Sequence, residues 1–385
     1  MMQGTARSLL LTVLVLSAVA CRRTPETTLS SPQPTTTTKA QSPARAPATS
    51  PAMQSQLGVY RGSAGANGPA KVNAFSQWMG RRTLWAEDFM DNSSWDSIAM
   101  PNWQTGPWEK WVAERAGRRL VLSVPMLPGP WDQSGPTAGT LGLHHSVSFA
   151  DGAKGDYDKY FKMLARNLVA HHLANAILRL GWEFNGGWYT WRAQGQSRLF
   201  ITYWRRIVTT MRSVPGASRL QFCWNPTVSY VQFPAAQAWP GRKYVNYIGV
   251  DVYDQSWLRG TYPFPTHATP AIILLRQKAA WQGIYSGNQG LLYWAGFAKQ
   301  HRVALAIPEW GVDNRSDGHG GLDDPYFIRQ MHKFMTDPAH HVAFDVYFDY
   351  RAPDGDHQLS PGLSGWRTQF PRSAAAFRKL FAWSR

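Results

Sequence analysis

The chain has two cysteines, Cys21 and Cys223, in 385 residues, so neither a disulfide framework nor a cysteine-rich metal site underlies it. Long apolar runs are also missing. The longest, Leu9 to Ala20, is about 12 residues, short of the ~20 that span a bilayer. Histidines pair at 144 and 145, 171 and 172, and 340 and 341, yet no H-E-x-x-H occurs, which removes the main motif for zinc chemistry. Acidic residues are few, 24 against 40 basic ones, for a formal charge of +16. The basic residues are nevertheless scattered, singly or in pairs such as Arg81-Arg82, Arg118-Arg119 and Arg205-Arg206. Without a basic run or a recognition motif, nucleic acid is not an expected partner.

What is abundant is aromatic: 19 Trp, 15 Tyr and 17 Phe. The tryptophan share is several times the ordinary one, so some of these indoles are expected outside the core. A sugar ring offers an apolar C–H face with polar edges, which an indole matches by stacking. Among glycans, the surplus of positive charge points to an acidic one.

Residues 1–20 read as an export signal, with Arg7 ahead of the apolar stretch and small residues at its end. The Ala18-Val19-Ala20-Cys21 terminus resembles a bacterial lipobox, which implies lipidation of Cys21 and a cell-envelope location; cleavage after an A-x-A site, giving a secreted protein, is the alternative. With Cys21 acylated, Cys223 has no partner, and its apolar surroundings make it a small core residue. Residues 21–56 are dominated by Thr, Pro, Ser, Ala and Gln, including Thr35 to Thr38, and read as a disordered tether.

From residue 57 to 385 short apolar runs alternate with turn residues and segments of helical spacing. Eight candidate strands stand out: 57–61, 83–88, 120–126, 176–183, 220–225, 247–253, 303–309 and 343–349. Tyr157, Phe161, Leu164 and Leu168 repeat at three and four residues, as do Phe200, Tyr203, Trp204, Ile207, Val208 and Met211, which predicts amphipathic helices. Asp324-Pro325 predicts an N-cap and first helical residue. Eight βα units imply an α/β protein with a single (β/α)8 TIM barrel; an open doubly wound sheet is the runner-up, but no G-x-G-x-x-G follows the first strand.

In such a barrel, chemistry sits where strands run into the following loops. Strand four ends Arg179-Leu180-Gly181-Trp182-Glu183, and strand seven ends Ile307-Pro308-Glu309-Trp310. Alternation predicts Arg179, Gly181 and Glu183 on one face, and Leu305, Ile307 and Glu309 on another. Two glutamates at the ends of hydrophobic strands, each beside a Trp, are costly to bury without a purpose. Glycoside hydrolysis supplies one: a carboxylic acid protonates the leaving oxygen while a second carboxylate attacks the anomeric carbon or activates water.

Arg179-x-x-x-Glu183-x-Asn185-Gly186-x-Trp188-Tyr189-x-Trp191 resembles the acid/base motif of glycoside hydrolase family 26. The stretch Tyr244 to Tyr253 and Pro308-Glu309-Trp310-Gly311 are similar to it as well, so the likeness covers most of residues 57–385. The resemblance implies a retaining endo-β-glycosidase without cofactor or metal, acting on a mannan-like or related β-linked polysaccharide as a monomer. It makes Glu183 the acid/base and Glu309 the nucleophile, sets Tyr253 beside the nucleophile, and gives Asn185, Trp188 and Trp191 to the sugar subsites. One departure stands out: family members commonly carry His immediately before the acid/base, and this chain has Trp182, which changes how hydroxyls near the cleavage point are recognised.

Arg179 is an expected donor to Glu309 or partner of another carboxylate. Trp310, Trp131 after strand three and Asn225 after strand five complete the expected cleft. Asp88 and Asp349 are read either as sugar ligands or as loop caps, and the loop 313–324 as a solvated Gly-rich segment rather than a calcium site. The competing class is a catalytically silent carbohydrate-binding or exopolysaccharide-assembly protein on the same barrel.

Overall fold

The computed structural model describes residues 56–63, 67–129, 147–228, 233–362 and 367–382. The signal, the lipobox cysteine, the tether and Trp131 lie outside the described residues.

Eight parallel strands close into a barrel in sequence order. They are β1 Gln56–Tyr60, β2 Trp85–Phe89, β3 Arg119–Val124, β4 Ile177–Leu180, β5 Gln221–Trp224, β6 Tyr247–Tyr253, β7 Ala304–Gly311 and β8 Val342–Phe348, with β8 pairing back onto β1. All eight expected strands are present. A short antiparallel ribbon joins Asn314–Arg315, after β7, to Gly355–Asp356, after β8.

Side-chain alternation sorts each strand into two faces. Val121, Ile177, Cys223, Ala306, Phe344 and Val346 meet inside the barrel, which makes Cys223 the expected core residue. Leu120, Leu122, Leu178, Leu180, Phe222, Trp224, Ile248, Val250 and Val252 pack outward with the helix faces. The helix Asp158–Ala170 contributes Phe161, Leu164 and Leu168, and the helix Ser197–Arg212 contributes Phe200, Trp204, Ile207 and Met211. Each such buried side chain is worth about 1.5–3 kcal/mol. Asp324 caps the helix Pro325–Thr336 by accepting from the Tyr326 and Phe327 amides, as its sequence predicts.

Two expectations about strand faces need correction. β4 stops at Leu180, so alternation does not carry through to Glu183: Gly181 (φ 56°) and Glu183 (φ 50°) both adopt the left-handed region and form a turn. A Cβ at Gly181 would also lie 2.6 Å from the Met126 sulfur, so glycine is required there for conformation and for space. In β7 the register slips. Gly249 to Asp251 on β6 is opposed by Ala306 to Glu309, one residue more, which is a bulge. Leu305 and Ile307 therefore face the helices, whereas Glu309 turns inward.

Candidate active site

At the C-terminal end of the barrel the interior changes from apolar to charged. Arg179, the last inward residue of β4, is fully buried and touches five side chains. Its Nη1 pairs with Glu87 of β2 and donates to Ser123 Oγ of β3 at 2.9 Å; its Nε donates to Asn225 Oδ1 at 2.8 Å. Its Nη2 donates to Asp251 Oδ2 of β6 at 2.6 Å and to Glu309 Oε2 of β7 at 2.8 Å. A planar guanidinium can serve so many acceptors at once, which a lysine cannot. Gly249 leaves the space for this, because a Cβ there would lie 2.6 Å from both Asn225 Oδ1 and the Cys223 sulfur.

One guanidinium thus faces three carboxyl groups. Burial pushes Glu87 up to about 8 despite the pull of Arg179, with the Glu309 charge adding to the rise. Burial likewise holds Asp251 well above the usual carboxylate range, against Arg179 and with the charges of Glu309 and Glu183. Protons shared among these groups reduce the buried charge that Arg179 must balance.

Glu309 and Glu183 both line a cavity of about 760 Å³ at this end of the barrel. Glu309 is held by two donors on different strands, Arg179 and Tyr253, whose Oη donates to Oε1 at 2.6 Å. Among the described residues Glu183 has one side-chain donor, Trp188 Nε1, at 2.9 Å from Oε2. Burial pushes Glu183 up to about 8, the Glu309 charge raises it further, and the Trp188 bond opposes them. The two carboxyls thus face one space in unlike settings, Glu183 raised by burial and Glu309 held by two donors.

Much of the remaining wall is aromatic, with Tyr60, Phe89, Trp182, Tyr189, Phe348 and Tyr350. At the mouth, Trp257 is 42% exposed and stacks on His319 with ring centroids 5.2 Å apart, a flat platform suited to a sugar face.

Of the expected site residues, Glu183, Glu309, Trp182, Trp188 and Tyr253 line the cavity. Five others do not. Arg179 and Asn225 are fully buried beneath the floor, where Arg179 holds carboxylates and Asn225 accepts from its Nε. Asn185 bridges both backbone groups of Thr227, donating to its carbonyl and accepting from its amide. Trp191 is buried and donates to the Trp182 carbonyl, and Trp310 points outward and donates to Asp345 Oδ2. Trp224, the residue before Asn225, is also core and donates to the Ala238 carbonyl. Outward-facing strand parity accounts for Trp224 and Trp310.

Asp88 and Asp349 resolve as anchors. Asp88 accepts from Gln104 and Trp108, while Asp349 pairs with Arg61 and accepts from the amides of Leu359 and Ser360. The loop 313–324 is less solvated than expected, since Asp313 and Asp324 are buried and Asp323 binds Arg372 and Ser373. Among the described residues no cluster of three potential metal ligands forms. Reading the sequence missed Glu87, Asp251, Trp257 and His357. Alternation with Tyr253 would have found Asp251, and alternation in β2 would have favoured Glu87 over Asp88.

The sequence model of Glycosyl hydrolase family 26 matches residues 157–266, the segment that carries β4, Glu183 and β6. Over those residues the chain is similar to family 26. The resemblance read from the sequence holds, and the barrel is a glycoside hydrolase, the reaction class that the paired glutamates suggest. No curated protein matches the chain in sequence. Solved structures share the fold. The catalytic domain of a Bacillus sp. JAMB-750 GH26 endo-beta-1,4-mannanase superposes with a TM-score of 0.56 at 15% identity, covering 86% of each chain. A Cellulomonas fimi endo-beta-1,4-mannanase double mutant gives 0.55 at 16%, over 85% of this chain and 70% of that one. GH26C from Muricauda sp. MAR_2010_75 gives 0.55 at 15%, over 86% and 87%.

Proposed function

We propose that the barrel is a retaining endo-β-glycanase in which Glu183 is the general acid/base and Glu309 the nucleophile. The observation that carries this reading is the unequal setting of two carboxyl groups in one aromatic cavity. Glu183, pushed up to about 8, holds its proton at neutral pH; Glu309 is gripped in place by donors from Arg179 and Tyr253.

In the first step Glu309 attacks the anomeric carbon as the glycosidic C–O bond breaks, and Glu183 gives its proton to the departing oxygen. The product is a glycosyl ester on Glu309, with Glu183 ionised. In the second step Glu183 takes a proton from water, whose oxygen attacks the same carbon and frees Glu309. Arg179 and Tyr253 orient the nucleophile throughout. The preferred substrate is a β-1,4-linked glycan, the linkage named for the mannanases of the same fold. The chain is exported and held to the cell envelope through a lipid on Cys21.

Glu183→Gln and Glu309→Gln should each lower reducing-end release on the order of a thousandfold. NMR of the first-formed product should show the β-anomer. Release at the wild-type rate in both variants, or initial α-anomer, would overturn the proposal. Loss of lipid labelling in Cys21→Ala tests the anchor.

A further inference from the structure

Trp182, next to the acid/base in sequence, has a single polar atom, and that Nε1 is occupied by Tyr189 Oη at 2.9 Å. An indole accepts no hydrogen bond, so this wall gives a sugar hydroxyl no acceptor. A different ring in the same cavity can supply one. His357, in the segment after β8, packs against Tyr253 at 4.6 Å and edge-on to Phe348 at 5.4 Å. Tyr253 is the residue that donates to Glu309. His357 Nδ1 lies 2.8 Å from the Val312 carbonyl oxygen. A carbonyl only accepts, so Nδ1 carries the proton and Nε2 the lone pair. Nε2 has no hydrogen-bond partner among the described residues. Burial pushes the imidazole down to about 4, so the ring stays neutral.

We propose that His357 Nε2 accepts a hydrogen bond from a hydroxyl of the sugar unit seated against Glu309, and that this unit is uncharged. The second part follows from the charges around the cavity. Its walls carry the carboxyl groups of Glu183, Glu309, Asp313 and Asp354 against one guanidinium, Arg315. Arg315 is already paired with Asp354 at 3.1 Å and with Asp317 at 3.1 Å. A uronate would bring a further carboxylate into that setting without, among the described residues lining the cavity, a free cation to meet it. The formal +16 of the chain is therefore not a guide to the substrate, because the excess base lies elsewhere.

The inference rests on the reading of the site as a glycosidase. Its test uses the full chain against β-1,4-mannan, β-1,4-xylan and mixed-linkage β-glucan, with poly-β-1,4-mannuronate as the acidic counterpart of mannan that differs at C6. The wild type should release reducing ends from a neutral polymer and not from polymannuronate. On the best neutral polymer, His357→Phe should lose roughly tenfold to a hundredfold in kcat/KM. His357→Gln, whose Oε1 restores an acceptor near the Nε2 position, should recover much of that. Should the Phe variant not fold, the Gln variant is compared with His357→Leu. Wild-type kcat/KM in the Phe or Leu variant, no recovery with Gln in a folded protein, or turnover of polymannuronate as fast as mannan would each overturn the proposal. Undiminished hydrolysis in Glu183→Gln and Glu309→Gln would instead retire the reading of the site on which it rests.

Discussion

Replacing Trp188 by Phe keeps an aromatic ring and removes the one side-chain donor to Glu183 among the described residues, the indole N–H at 2.9 Å from Oε2. That bond favours the ionised carboxyl alone, so its loss moves Glu183 further above a value already pushed up to about 8 by burial and by the Glu309 charge. A hydrogen bond to a charged group contributes about 1.5–3 kcal/mol, and one pKa unit corresponds to about 1.4 kcal/mol. Water reaching the half-buried carboxyl returns part of this, which leaves an expected upward shift of about one unit. The acid form is the active one, so the alkaline limb of kcat/KM should move to higher pH by that amount. The assay is the initial rate of reducing-end release for wild type and variant from about pH 5 to pH 10. Trp188 also lines the cavity, so the amplitude falls too, but the position of the limb does not depend on amplitude. A limb that stays in place or moves down would refute the reasoning, and with it either the donor role of Trp188 or the acid role of Glu183.

The same shifts set how stability varies with pH. Glu87 and Glu183 are raised in the folded state above the ordinary carboxylate value, so the stability they contribute is complete below that value and is lost as pH rises toward about 8. Thermal melts should show Tm falling across this window, and Glu87→Gln and Glu183→Gln should each flatten the fall. Arg179→Met leaves three buried carboxyls without a counter-ion and should cost about 3–5 kcal/mol, read as a lower midpoint in urea unfolding. Arg179→Lys should restore little of it, because one ammonium does not reach all five partners. Trp310→Phe should lower stability by about 1–3 kcal/mol through the lost bond to Asp345 while leaving KM unchanged, which separates its core position from a subsite role.

The strands were legible because each carries a run of apolar residues bounded by turn formers, and β6 was read to the residue. The ends of β4 and β7 were not, because the rule that reads a strand's faces assumes unbroken extended backbone. At β4 the chain leaves that conformation at Gly181, and nothing local marks the left-handed backbone of Glu183. At β7 one extra residue before Glu309 reverses which side chains face inward. Both glutamates were nevertheless found, because a carboxylate beside Trp at a strand end is conspicuous by chemistry rather than by parity. Arg179 was found as the donor to Glu309 that it is, whereas Asn225 was given to the cleft although it lies beneath it. Their partners, Glu87 and Asp251, come from other strands, and only closure of the barrel brings those together.

The aromatic excess carries a similar lesson. Stacking against sugars accounts for few of the indoles: among the described residues Trp182, Trp188 and Trp257 line the cavity, whereas Trp108, Trp191, Trp204, Trp224 and Trp310 are fully buried. A buried indole needs an acceptor for its N–H, and each of these has one, a carboxylate for Trp108 and Trp310 and a backbone carbonyl for the others. Trp204 donates to the Leu180 carbonyl at 3.3 Å and Trp191 to the Trp182 carbonyl at 2.8 Å. Between them the Gly181 amide donates to Val124 at 2.8 Å, and the Glu183 amide to Asn225 at 2.7 Å. Four hydrogen bonds, two of them from core tryptophans, thus fix the left-handed turn that aims Glu183 into the cavity. A backbone conformation that a glutamate rarely adopts persists only where its surroundings over-determine it. The tryptophans that never meet the sugar serve the site by holding that turn.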